Sequence, residues 1–470
     1  MNNWMARLAK HYNNTRDKYP NDRILIVFDI DGTILDMRYV ILHVLKAFDE
    51  SHNTRHFAGL EAADIDFHEE HIQSFLDRLR ISPEDQKVIL EQYKRLFWSS
   101  AATFEAHRPF RGVLEVIRWL QMQPRTYVAL NTGRPESLRL QTLNTLNRLA
   151  DEFRVRFDDD LLYMKPDGSE QTIPEIKANG IRSFAEKGYR VFAVVDNEPE
   201  NLYAISRIDH QREILLLHAD TIFKSRRDSV PGYAVNGKGY DITTLILNNT
   251  PTRHTQFVWD YTLDSDRFHQ FIRSNIHWIQ VDPHFFSSPL RKISAGAELP
   301  DITEYLSEIK GHDKKIKLRL RDLTNMTAET LRMVAKLGFD GSSICIDVNI
   351  ATILDDVKMK TLRLDHPHII IQSPVDYLAD AILTKPMRVR EILEFVKGRG
   401  ANRFSVNWMQ PKKRQVINRL LQWGYEVDVN NIQGLEPFLQ AALLGPYSIT
   451  SHFNFLGDQY EEHRVDRFIA

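Results

Sequence analysis

Asp29-Ile30-Asp31-Gly32-Thr33 follows directly on the apolar run Ile24-Leu25-Ile26-Val27-Phe28. A short continuous apolar run bounded by polar residues reads as a parallel strand buried on both faces. Ligands in open α/β sheets bind outside the carboxyl ends of the strands. Asp29 is therefore expected at such an end, with Asp31 two residues on in the loop. Two carboxylates this close attract a hard divalent cation, and oxygen ligands select Mg²⁺. The cation offsets the repulsion between the acids and neutralises phosphate charge during transfer. One carboxylate can form an aspartyl-phosphate, and the other can move protons. Gly32 lets the backbone come close to a phosphate oxygen.

Working outward, similar apolar runs recur at Thr126–Leu130, Val191–Val195 and Glu213–His218. Helical patterns lie between them, as at Val113–Gln121 and Glu175–Lys187. Strands alternating with helices predict a doubly wound parallel sheet. Between the first strand and Pro109 lies a long stretch with helical spacing, clearest at Val40–Glu50, Phe67–Leu79 and Pro83–Phe97. It is too long for a simple crossover and reads as a small helical subdomain inserted over the strand ends, residues 36–108. Arg38, Phe48, His52, Phe97 and Trp98 there either face a substrate or build the subdomain's own core. Aromatic residues at helical spacing are more often core.

Asn248-Asn249-Thr250-Pro251-Thr252 is a turn-rich linker. Beyond it come short strands at Ile276–Val281, Ile316–Leu320, Ser343–Ile346, Ile369–Ile371, Arg403–Val406 and Gly424–Val429, most followed by a helical segment. That alternation predicts a (β/α) TIM-like barrel. The expected domains are 20–250 and 255–470.

The 470 residues are 43% apolar and 26% charged, which is ordinary for a globular protein and argues against long disorder. A formal net charge of -2 gives no global pull towards nucleic acid or an anionic membrane. No stretch approaches the ~18 apolar residues of a membrane span. The N-terminus lacks the order of a signal peptide, so a cytoplasmic location is expected. The single cysteine, Cys345, excludes an internal disulfide and a Cys-rich zinc site. Its apolar neighbours predict a small buried side chain, not a reactive thiol.

Asp29-Ile30-Asp31-Gly32-Thr33-Ile34-Leu35 closely resembles the first motif of the haloacid dehalogenase (HAD) superfamily, and the likeness extends over residues 20–220. The resemblance implies a magnesium-dependent phosphatase with a helical cap. Asp29 would be the nucleophile. Asp31 would be the general acid/base and lend its backbone carbonyl to the metal. Tyr127-Val128-Ala129-Leu130-Asn131-Thr132-Gly133-Arg134-Pro135 resembles the second motif. Thr132 would then hydrogen-bond the phosphoryl group, Gly32 and Gly133 would border it, and Arg134 would touch phosphate or substrate. The lesser reading of Thr132 is a plain N-cap before Glu136. The lone lysine of the third motif is Lys177, after Pro174, or Lys165; family spacing favours Lys177. Val194-Val195-Asp196-Asn197-Glu198-Pro199-Glu200-Asn201 resembles the fourth motif. Asp196 would be a metal ligand. The usual second acid is replaced by Asn197, which passes the role to Glu200.

The C-terminal part resembles, more faintly, glycerophosphodiester phosphodiesterase-like barrels. The likeness rests on Gly424–Asn430, Pro437–Leu444 and Ser448–Phe453, on Trp278-Ile279-Gln280-Val281-Asp282 and on Leu299–Leu306. The catalytic signature is missing. Trp259-Asp260-Tyr261-Thr262 replaces a His-Arg-Gly segment, Gln280 replaces an acid, and Thr450-Ser451 replaces Thr-Asp. Asp282 and His284 read as remnants, and the barrel as degenerate. The expected activity is hydrolysis of a small phosphomonoester through an aspartyl-phosphate. The alternatives are a non-catalytic phosphate-binding or scaffold protein, and a two-step phosphodiesterase-phosphatase. A nucleic-acid substrate has the near-neutral charge against it. The sequence does not fix the oligomeric state.

Overall fold

The computed structural model describes residues 3–97, 106–249, 254–260, 265–283, 302–320 and 325–453, so Trp98 and His284 lie outside the described residues. The chain divides into two compact units, Met1–Asn249 and Thr250–Ala470.

The first unit is built on a six-stranded sheet in the order β3-β2-β1-β4-β5-β6. The strands are β1 (Arg23–Phe28), β2 (Thr126–Pro135), β3 (Leu162–Lys165), β4 (Tyr189–Asp196), β5 (Leu215–Ala219) and β6 (Val235–Gly237), and every pairing is parallel. Ile24 to Phe28 are each 0% exposed. A parallel strand covered on both faces has this burial, and it explains the unbroken apolar run. The edge strand β6, Val235-Asn236-Gly237, lacks such a run, and β3 has only the short Leu161–Met164 run ending in Lys165.

Helices α1 (Trp4–Lys18), α2 (Met37–His52), α3 (Ile72–Arg78), α4 (Pro83–Phe97), α5 (Val113–Gln121), α6 (Arg139–Ala150), α7 (Ile173–Glu186), α8 (Pro199–Ile208) and α9 (Ile242–Leu247) complete the unit. Helix α7 starts at a capping box, in which the Glu175 carboxylate accepts from the Thr172 N–H at 2.8 Å. Pro174 sits in its first turn. Helices α2 to α4 form the inserted subdomain. The chain enters and leaves it side by side: Leu35 and Pro109 form an antiparallel bridge, and the Asp36 N–H donates to the Arg108 carbonyl at 2.8 Å. Phe48 and Phe97 are buried as core of this subdomain, whereas His52 is exposed and stacks on Phe48 with ring centroids 4.2 Å apart.

The second unit is a closed barrel of parallel strands in the order β10-β11-β12-β13-β14-β7-β8-β9. These are β7 (Gln256–Trp259), β8 (Trp278–Val281), β9 (Lys315–Arg319), β10 (Ile344–Asp347), β11 (Ile370–Pro374), β12 (Arg403–Asn407), β13 (Val427–Ile432) and β14 (Ser448–Ser451). TIM-type barrels usually fill their interior with branched apolar layers. Here a buried ion pair takes part of that space. Lys317 Nζ lies 2.8 Å from Asp428 Oδ2 and donates to Thr450 Oγ1 at 2.9 Å. Ser448 Oγ donates to Asp428 Oδ1 at 2.6 Å, and Gln372 Nε2 donates to Asp428 Oδ2 at 3.2 Å. Cys345 is buried and its thiol is pushed up to about 11 by burial, as befits an inert core thiol.

Candidate active site

Asp29 leaves β1 at its carboxyl end, and its N–H donates to the Val195 carbonyl of β4 at 2.9 Å. The loop then closes tightly: the Gly32 N–H donates to Leu35 O at 2.8 Å and the Ile34 N–H to Ile30 O at 2.9 Å. Gly32 has φ +79°, and a Cβ there would come within 2.2 Å of Asn197 Nδ2. The position thus requires glycine for conformation and for space. The loop is tied from outside as well. Thr221 Oγ1 donates to the Gly32 carbonyl at 2.6 Å, and the buried Tyr240 hydroxyl donates to the Thr33 carbonyl at 2.9 Å.

Lys177, on α7, is 2% exposed. Its ammonium is paired with Asp29 Oδ1, lies 2.9 Å from Asp196 Oδ2 and donates to the Asn131 carbonyl at 2.5 Å. Asn131 Nδ2 returns a hydrogen bond to the Lys177 carbonyl at 2.8 Å. Burial works against the ammonium, but Asp196 and Asp29 outweigh it and hold its pKa above the ordinary lysine value. Burial raises the Asp29 carboxyl, against the pull of Lys177 and with help from Asp196 and Asp31. Lys165, the other lysine weighed from sequence, ends the edge strand β3, with β2 between it and β1.

Asp196, 1% exposed, ends β4. Its Oδ1 accepts from the Glu198 N–H at 2.8 Å and from Asn201 Nδ2 at 3.1 Å. Asn197 is also buried, and its Oδ1 accepts from Thr33 Oγ1 at 3.4 Å. Glu200 goes elsewhere. It is exposed on the first turn of α8, its N–H donates to Ser225 Oγ at 3.2 Å, and its carboxylate acts on Lys224. Pro199 opens α8, and in its first turn Glu200 faces outward while Asn201 is buried.

Thr132 lies two residues beyond Leu130, which is in register with Phe28. Its hydroxyl accepts from the Arg134 N–H at 3.2 Å. Gly133 packs against Ile173 at the start of α7. The Arg134 guanidinium grips Asp31 in a fork, Nε to Oδ2 at 2.7 Å and Nη2 to Oδ1 at 2.6 Å, with His107 Nε2 3.3 Å from Nη2. Burial alone would raise the Asp31 carboxyl, but Arg134 overrides it and holds the pKa below the ordinary value. His107 and Tyr240 have no motif to betray them in sequence, because each comes from a segment that only folding brings near β1; Asn201 closes the stretch that resembles the fourth motif, but nothing in that stretch singles it out over Glu200.

Among the described residues no three His, Cys, Asp or Glu side chains group closely enough to hold a metal ion. Mg²⁺ needs fewer, since it keeps several waters and takes one or two carboxylates. Asp29 and Asp196 already converge on one cation, the Lys177 ammonium, and the oxygens around them are hard donors. This donor set fits Mg²⁺.

In the barrel, Gln280 Nε2 donates to Asp260 Oδ1 at 2.7 Å, so the neutral side chain at this position serves as a donor. His452 Nε2 lies 3.5 Å from Asp260 Oδ2, a His–Asp contact that sequence spacing did not disclose. Asp282 is buried.

No family model matches the sequence, and no curated protein is similar to it. Solved structures do resemble it. A structure described as a predicted phosphoglycolate phosphatase from Haemophilus somnus 129PT is 14% identical, with a TM-score of 0.32, over 48% of this chain and 99% of that one. A haloacid dehalogenase-like family hydrolase from Streptococcus pneumoniae is 12% identical, with a TM-score of 0.29, over 46% and 95%. A glycerophosphodiester phosphodiesterase from Parabacteroides distasonis ATCC 8503 is 12% identical, with a TM-score of 0.32, over 44% and 95%. By its own strand order the chain carries a doubly wound α/β unit, with a helical insert after β1, followed by a TIM-like barrel.

Proposed function

We propose that the chain is a Mg²⁺-dependent hydrolase of small phosphomonoesters in which Asp29 is the nucleophile. One observation carries the reading: a buried lysine joins two buried aspartates at the carboxyl ends of the adjacent strands β1 and β4. Burying charged groups is costly, and such clusters gather where chemistry needs them. A carboxylate oxygen of Asp29 would bond to phosphorus as the ester P–O bond breaks, its electron pair leaving with the alcohol oxygen. Lys177 and Thr132 would hold phosphoryl oxygens. Asp31 would take a proton from the water that hydrolyses the aspartyl-phosphate, giving up one contact of the Arg134 fork to hold it, and return it to the leaving alcohol in the next turnover. Magnesium held by Asp29, Asp196 and the Asp31 carbonyl would neutralise charge on the phosphoryl group. Asn197 and Asn201 are better placed than Glu200 to complete its surroundings.

The test is hydrolysis of an aryl phosphate with Mg²⁺. Asp29→Asn should lower kcat by at least about a thousandfold, the scale of losing a nucleophile. Beryllium fluoride with Mg²⁺ should give a metal-dependent adduct on Asp29. Unchanged turnover in Asp29→Asn would sink the proposal.

A further inference from the structure

A cavity of about 350 Å³ opens beside Asp31, Gly32 and Asn197, and its far wall comes from the cap through Ile65, His68 and Glu69. Four carboxylates line it. Three are matched by arginines: Asp31 by Arg134, Asp36 by Arg38 (Nε to Oδ1 at 2.8 Å) and Asp220 by Arg227 at 3.0 Å. Glu69 is different. Its one ion-pair neighbour among the described residues is His68, 3.3 Å away, whose pKa burial lowers, so that the imidazole stays neutral. Only 22% of the Glu69 side-chain surface is exposed. Among the described residues the buried Tyr93 hydroxyl has no hydrogen-bond partner, and the charge acting on it is Glu69. Burial pushes the Glu69 carboxyl up to about 7, with Asp31, Glu70 and Asp29 adding to the rise, because a largely desolvated carboxylate with no cation beside it among the described residues is costly to ionise. It favours any partner that brings hydrogen-bond donors or positive charge.

We infer that Glu69 reads the leaving group of the substrate: a small phosphomonoester whose alcohol carries a hydroxyl or ammonium donor. This rests on the phosphatase reading above. The phosphate faces Asp29 from the core side, while the donor end of the alcohol meets Glu69 and His68 under the cap. The cavity volume suits a compact ester.

The experiment compares kcat/KM of the full-length protein with Mg²⁺ on ethanolamine phosphate, glycerol phosphate and propyl phosphate, with an aryl phosphate as reference. At least one donor-bearing ester should exceed propyl phosphate about tenfold or more, the usual penalty for leaving a buried polar group unpaired. An advantage confined to ethanolamine phosphate assigns the ammonium; a shared advantage assigns the hydroxyl as sufficient. Glu69→Leu should bring the ratio close to one. Should that variant fail to fold, Glu69→Gln should still cut the ethanolamine ratio severalfold. A ratio near one in the wild type, or one retained in the variants, overturns the inference while leaving the phosphatase reading intact. No turnover of any ester, the aryl phosphate included, overturns both.

Discussion

At the scale of single residues, Arg134 has the most unexpected role. A contact with substrate was expected, but its fork is taken up by Asp31. The depressed pKa of Asp31 contributes stability that is present above the unfolded carboxylate value of 3.8 and lost as pH falls below it. With the arginine gone, burial would push the Asp31 pKa up against only His107 and Lys177, a penalty that grows as pH rises. Arg134→Met should therefore destabilise by about 3–5 kcal/mol at pH 7, and clearly less at pH 4. Urea denaturation at the two pH values checks this; an equal loss at both would contradict it. Asp29, Asp31 and Asp196 are legible in sequence because motif chemistry sits at strand ends. Glu200 and Asn201 are not. Which of two neighbours faces inward depends on where α8 starts its first turn, and sequence places such boundaries poorly.

At the scale of elements, the site depends on how closely β2 and α7 approach. A Cβ on Gly180 would come within 2.6 Å of the Asn131 side chain, and Asn131 is what exchanges hydrogen bonds with Lys177. Gly180→Ala should cost about 1–3 kcal/mol through overpacking and lower kcat with it, since the Asn131 side chain is pushed off the Lys177 carbonyl that it holds and the turn of α7 carrying the ammonium shifts. Thermal melts and steady-state kinetics read the two effects; unchanged kcat would show the contact to be dispensable. Interior elements were readable from sequence: β1, β4 and α5 follow the expected spans, because burial on both faces writes an unbroken apolar run. The edge strand β6 writes none, and β3 only a short one. The capping box of α7 was visible only as Thr172, Pro174 and Glu175, a pattern common enough to need the structure.

At the scale of the whole molecule, two units carry one buried lysine each among carboxylates, Lys177 in the sheet and Lys317 in the barrel. The barrel network includes a strained member. Burial raises the Asp347 carboxyl to about 6, against the pull of Lys317, and its Oδ1 has no hydrogen bond. A raised carboxyl contributes stability below its unfolded value, and that contribution is lost as pH rises through about 6. Asp347→Asn should thus raise the melting temperature at pH 8 and change it little at pH 4, without altering hydrolysis of an aryl phosphate. A gain at pH 4 as large as that at pH 8 would refute the assignment. The barrel's alternation of strands and helices was legible; its polar interior was not, since inward and outward residues become distinct only once the ring closes.

The bridge between Leu35 and Pro109 has a consequence for how such a chain changes over time. Because entry and exit of the cap lie side by side, everything from Asp36 to Arg108 is a detour that begins and ends at one point. The core strands need not move to accommodate a longer, shorter or different detour, and loop-closure entropy grows only slowly with length. Substitution, insertion or wholesale exchange within it can reshape the cavity wall that Ile65, His68 and Glu69 supply, while the Asp29 loop remains tied by Thr221 and Tyr240. The fold separates the strand ends that hold Asp29 and Asp196 from a segment free to vary.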